Sequence, residues 1–264
     1  MSELDDDTAL TRDGDVWRGT VSPRWHVGAG PNGGYLATFP LRAMLDVAPV
    51  PDPLSMSTYY LQRPVYGPIE VRARVLHATG SHAFLAADAH QEHGHVLTAH
   101  AVLGRLREPE LTPLRAPMPE VVPPDDCVTV PPPDDPALEF VRRFEVRTQS
   151  ADFGSFFSSA DDRHQSAGWL RFVDRDLDAL GIPVFADCLP PAVFGAMGPG
   201  LMPTLELTVH WRARPRTRWH WACFGTRFFT GGYIEEDGEI WDEDGTLIAM
   251  SRQLARFTPM APPG

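Results

Sequence analysis

Apolar and polar positions along the chain fall into short runs, and the runs come in the same order twice. In the first half, alternation at a period of two predicts a strand near Val16 to Val21. The turn Gly28-Ala-Gly-Pro-Asn-Gly-Gly34 follows, and then an apolar segment from Tyr35 to Val47 whose spacing is helical apart from Pro40. Further strands are predicted at Leu54 to Gln62, Ile69 to His77, Ala83 to Gln91 and Val96 to Leu106, separated by Pro-Val-Tyr-Gly-Pro, Thr-Gly-Ser and Glu-His-Gly. The second half gives a strand near Phe144 to Thr148 and a helical stretch around Leu177 to Phe194. Strands near Thr204 to Arg212, His220 to Arg227, Gly231 to Glu236 and Thr246 to Phe257 complete it.

The two halves also match residue by residue. Pro53 and Pro203 open the strand after the helix and lie 150 residues apart; Arg63-Pro64 and Arg214-Pro215 close it at 151, which implies one inserted residue. Leu97-Thr-Ala and Leu247-Ile-Ala open the last strand, again 150 apart. A long helix followed by antiparallel strands buries its apolar stripe when the sheet wraps around it. The expected fold is therefore α+β: a tandem, or double, hotdog, each half a long helix wrapped by an antiparallel sheet, with the two sheets paired edge to edge so that neither keeps an open edge. A β-sandwich and a barrel are the alternatives.

Prolines concentrate between Pro109 and Pro136, where they remove backbone donors and exclude a central strand or a regular helix. The expected division is an N-terminal hotdog over 1–108, a Pro-rich linker over 109–136 and a C-terminal hotdog over 137–264. The formal net charge is −12, which argues against a broad nucleic-acid or anionic-membrane footprint. The polar start Met-Ser-Glu-Leu-Asp-Asp-Asp and the lack of any long apolar run predict a cytoplasmic protein. Cys127, Cys188 and Cys223 are too widely spaced for a zinc or redox motif and read as structural, and no cofactor or metal is called for.

Candidate chemistry centres on Asp187, which sits in the otherwise apolar run Ile182-Pro-Val-Phe-Ala-Asp-Cys-Leu-Pro-Pro-Ala-Val-Phe194. A carboxylate there either faces solvent, caps a backbone amide, or is a buried general base with a raised pKa. Thr204, Glu206, Thr208 and His210 share one face of their strand by the period of two, an ordinary solvated face when taken alone. Gln253 lies in the last strand. Stepping back 150 residues from Asp187, Thr204 and Gln253 lands on Ala37, Leu54 and Leu103, so the polar set belongs to the second half only.

Together these residues resemble the type II acyl-CoA thioesterases, the TesB-like double-hotdog proteins, from about Trp17 to Phe257. The motifs are Gly33-Gly34-Tyr and Tyr60-Leu-Gln-Arg-Pro64 in the first half. In the second they are Phe185-Ala-Asp-Cys-Leu, Thr204-Leu-Glu-Leu-Thr, Arg214-Pro215 and Asp244-Gly-Thr-Leu-Ile-Ala-Met-Ser-Arg-Gln253. The resemblance implies hydrolysis of an acyl-CoA or other acyl-thioester by a water that Asp187, Thr204 and Gln253 orient. Glu206-Leu207 departs from the family's usual Asp-His, which leaves Thr208 as a competing hydroxyl. The Gly33-Gly34 turn reads either as an oxyanion or substrate turn, or as the tight entry to the helix.

Other features admit other readings. His26 in His-Val-Gly-Ala-Gly-Pro31 is similar to the His-xxx-Gly motif of polyketide-synthase dehydratases, which pair it with an Asp from the other half; Asp187 would be that Asp, although Tyr35 stands where the pattern expects a proline. A non-catalytic acyl-thioester binding protein is the third reading. His90, His93, His95 and His100 flank a turn and read as solvated. The acidic run from Tyr233 to Gly245 reads as a solvated hairpin, and Phe153 to Arg163 as an irregular loop near an acyl entrance. A homodimer is the expected assembly.

Overall fold

The computed structural model of the chain describes residues 2–107, 116–160 and 163–260. Residue 108, residues 109–115 of the Pro-rich stretch and residues 161–162 of the segment read as a loop lie outside the described residues.

The first half folds as β1 (Val16–Val21), α1 (Gly33–Val47), β2 (Asp52–Tyr60), β3 (Gly67–Ala78), β4 (Ala83–Gln91) and β5 (Gly94–Gly104). α1 starts at Asn32, whose side chain accepts the Tyr35 amide at 2.8 Å as an N-cap. It runs on through Pro40, because nearly every residue from Gly34 to Met44 is buried and tertiary packing holds the turn that lacks an amide. The antiparallel order is β1-β3-β4-β5-β2, and α1 lies across β3 and β4. In the second half β6 (Phe144–Thr148), β7 (Arg163–Phe172), α2 (Ile182–Phe185), α3 (Val193–Met197), β8 (Thr204–Trp211), β9 (His220–Thr226), β10 (Tyr233–Asp242) and β11 (Leu247–Arg256) give the order β8-β11-β10-β9-β7-β6. β2 and β8 pair with each other, Glu206 opposite Tyr59 and Thr208 opposite Ser57, so one antiparallel sheet runs through the whole molecule and each half covers the other's edge.

Four expectations need correction. The helical stretch from Leu177 to Phe194 is only the two short helices α2 and α3. Pro183 fits the first turn of α2, but Pro190 and Pro191 cannot continue a helix, and Asp187 therefore lies on the irregular chain between the two. The counterpart of β1 is β7 and not Phe144–Thr148, which lies outside it as β6. The segment read as a loop contains Phe157–Ala160, a strand paired with β7. The acidic run is no solvated hairpin, since most of it is β10, between β9 and β11, with Glu236 and Asp242 buried; Asp242 faces His220 at 3.0 Å and accepts the Arg216 amide at 2.9 Å.

Within the Pro-rich stretch, Val128–Val130 adds to β6 at the rim of the sheet, the position that prolines on either side permit. The polar start of the chain is also docked. Leu4 is buried, Glu3 pairs with Arg143 at 2.7 Å, and Asp5 pairs with Arg42 and Arg175, each at 3.0 Å, so the first residues bridge the halves. Among the described residues no helix is long and apolar enough to cross a membrane.

Candidate active site

The start of α1 and the break between α2 and α3 meet across the two halves. Gly34 makes this possible: a Cβ there would stand 2.1 Å from the carbonyl oxygen of Pro183, closer than any side chain can approach backbone. A Cβ on Gly33 would stand 3.0 Å from Asp187 Oδ2 and 3.2 Å from the Tyr60 hydroxyl. The glycine pair thus brings the positive end of a helix onto a carboxylate.

Asp187 is held by that helix start. Its Oδ2 accepts the Gly34 amide at 2.9 Å and the Asn32 side-chain amide at 2.9 Å, and Asn32 also donates to the Asp187 carbonyl oxygen at 2.7 Å. The Tyr60 hydroxyl donates to the Gly33 carbonyl at 2.7 Å, and closes the turn from the side of β2. Burial raises the Asp187 pKa to about 6, against the lowering pull of the Gly34 and Gly33 amides and of the Asn32 and Gln253 side chains. Near neutral pH Asp187 is therefore a carboxylate, but a more basic one than a solvated aspartate.

Thr204 and Gln253 reach the same face by way of a bulge. Thr204 is opposite Ala255 and Glu206 opposite Leu254, so Leu205 is the extra residue. The expectation that Thr204, Glu206 and Thr208 share a face fails here, because one bulged residue turns Thr204 to the inner side with Gln253 and Ala255. The Gln253 side-chain amide donates to the Thr204 hydroxyl, and Gln253 is only 3% exposed. Thr208 stays on the other face, bonded to Glu206 and, at 2.6 Å, to Ser57.

The bulges also align the repeat. In β2 the extra residue is Leu54, with Pro53 opposite Leu103 and Ser55 opposite Val102. The structural counterpart of Thr204 is therefore Pro53 rather than Leu54, and that of Gln253 is Ala101 rather than Leu103, both still apolar. These counterparts lie 151 residues apart in the strand after the helix and 152 apart in the last strand, so one inserted residue falls before the former and a second between the two, and Leu97 and Leu247 are not true counterparts.

Other candidates lie elsewhere. The His26 ring bonds the Tyr66 hydroxyl, and Asp187 takes its hydrogen bonds from Asn32 and Gly34. Cys188 points its thiol to the Phe185 carbonyl at 3.1 Å, and burial pushes that thiol well above its ordinary pKa, the reverse of an activated nucleophile. His90 and His95 stack at 4.4 Å beside their turn, and among the described residues no group of His, Cys, Asp or Glu is placed to hold a metal ion. Sequence reasoning passed over Asn32, although an Asn before Gly-Gly and an apolar helix is an N-cap signal, and over Glu236, which the acidic run concealed.

Solved structures share this architecture over their whole length. A candidate thioesterase II from Thermobifida fusca is 26% identical with a TM-score of 0.88, covering 98% of each chain. A protein of unknown function with a hot dog fold from Alicyclobacillus acidocaldarius is 26% identical with a TM-score of 0.87, covering 99% of this chain and 100% of its own. The acyl-CoA thioesterase II TesB2 from Mycobacterium marinum, 18% identical with a TM-score of 0.73 over 98% and 99% of the two chains, shares the fold. A search of curated protein sequences gave no match. The class is thus a double hotdog. Residues 21–104 match the N-terminal domain of acyl-CoA thioesterases and residues 124–257 the C-terminal domain, and the chain belongs to this family of thioester hydrolases.

Proposed function

We propose that the protein hydrolyses acyl-CoA to free acid and CoA with Asp187 as general base and Thr204 and Gln253 as the pair that orients the water. The observation that carries this is a buried, basic carboxylate fixed by Asn32 and Gly34 on the side of the sheet where Gln253 and Thr204 bond each other. Asp187 takes a proton from the water as its oxygen attacks the thioester carbonyl carbon. The tetrahedral intermediate then collapses, the carbon–sulfur bond breaks, and the departing thiolate takes the proton from Asp187. The Gly34 amide, at the positive end of α1, stays on Asp187 Oδ2 and keeps the base in place through the cycle.

A panel of short, long and aromatic acyl-CoAs, assayed by release of free thiol, tests the reading. No thiol from any of them, with the ligands still bound, would leave an acyl-thioester binding protein in its place. For an active substrate, kcat/KM should rise with pH through about 6, since the reaction needs ionised Asp187 and acid protonates it. Thr204→Val should lower kcat roughly 10- to 100-fold, the scale of a misplaced reactant. Thr208→Val, on the other face, should leave it within about two-fold of the wild type.

A further inference from the structure

Glu236 is a second buried carboxylate at this site, and the hydrolysis described above gives it no task. It lies on β10 in register with Gln253 of β11, on the inner face, and is 6% exposed. Its Oε2 accepts the Ala192 amide at 2.7 Å, on the turn that leads from Asp187 into α3. Two neighbouring strands thus send polar side chains to the same place: Gln253 holds Thr204, and Glu236 holds the chain just beyond Asp187. An apolar core does not need a carboxylate to make one amide bond, because the burial itself opposes the charge.

We infer that Glu236 is a positioning residue that sets the strength of Asp187 as a base: it anchors the turn that carries Asp187, and its ionisation places a second negative charge behind it. The inference rests on Asp187 being the base. Burial raises Glu236 to about 7, with the Ala192 amide opposing and the charges of Asp187 and Glu235 adding to the rise. The ionisable groups around it are Asp187 on the helical side, Cys223 on β9 and Glu235 on its own strand, while Gln253 on β11 is neutral. Like charges in one buried site lose their protons in two steps that belong to the pair. Asp187 ionises at the lower step, and once Glu236 follows, the pull of Asp187 on the water's proton strengthens.

Glu236→Gln keeps the shape and an oxygen for the Ala192 amide while removing the charge. The variant should remain active, and its rise of kcat/KM with pH should narrow from two ionisations to one, with a lower plateau reached at lower pH than in the wild type. A profile superimposable on the wild type overturns the inference, and so does a folded variant inactive at every pH. A carboxyl-carbon NMR titration of Glu-labelled protein supplies a readout without turnover and without the Gln variant. The glutamate resonance with its midpoint nearest neutrality should move to lower pH in Asp187→Asn, and an unmoved midpoint overturns the coupling. A shifted resonance in a protein that releases no thiol would mean that the hydrolase reading fails while the carboxylate pair stands. An active Asp187→Asn enzyme would sink both.

Discussion

Asp187→Asn should reduce kcat/KM by about 10² to 10⁴, or about 3 to 5 kcal/mol of transition-state stabilisation, while leaving the binding of an unreactive acyl-thioester analogue intact. The amide keeps an oxygen for the Gly34 and Asn32 donors, so the site holds its shape and loses only its proton acceptor. The same substitution should make the protein more stable. Folding lifts Asp187 from 3.8 to about 6, so the protonated form is the one the fold prefers. The stabilisation from that preference is complete below about pH 4 and is lost as pH rises through about 6. Asparagine is neutral throughout, so the variant should gain up to about 3 kcal/mol over the wild type at pH 8 and little at pH 4. Urea unfolding at the two pH values checks this. Lost turnover with unchanged stability at pH 8 would mean that Asp187 is not held as a strained, basic carboxylate.

Gly34→Ala should be the most damaging single methyl in the chain. Its Cβ would meet the Pro183 carbonyl at 2.1 Å, and since both contacting groups belong to the backbone, no rotamer relieves the clash. Separating α1 from α2 should lower stability by about 3 kcal/mol or more, which for a chain of this size shifts Tm by about 6 to 12 °C. Gly80→Ala, where a Cβ meets nothing within 4 Å, is the matched control and should leave Tm close to that of the wild type. Calorimetry of the pair decides: equal melting temperatures would refute the close crossing of the two halves at Gly34.

Much of the architecture was legible because Pro, Gly and Asp mark the ends of strands whatever their tertiary setting. The doubled order of elements came from that punctuation, and it survived. β7 escaped because Arg163-His-Gln-Ser-Ala-Gly-Trp-Leu-Arg-Phe172 mixes small, polar and aromatic residues without clean alternation, and its strand character comes from pairing on both sides. The long second helix was over-read because apolar content outweighed Pro183, Pro190 and Pro191, although the prolines dictate where the chain can be helical. Asp187 was visible as a charge in an apolar run. The facing of Thr204 was not, because a bulge at Leu205 reverses a face and leaves no trace in the period of two. The donors to Asp187 were hidden for a different reason: Asn32 and Gly34 lie more than 150 residues away, and only the folded crossing brings them near.

That crossing also bears on the repeat. Each copy of the repeat supplies part of one buried site, since Asp187 belongs to one copy and the donors that hold it belong to the other. The copy that carries Pro53 and Ala101 where its sister carries Thr204 and Gln253 is therefore no idle half: without its Asn32 and Gly34, Asp187 would lose the donors that fix it.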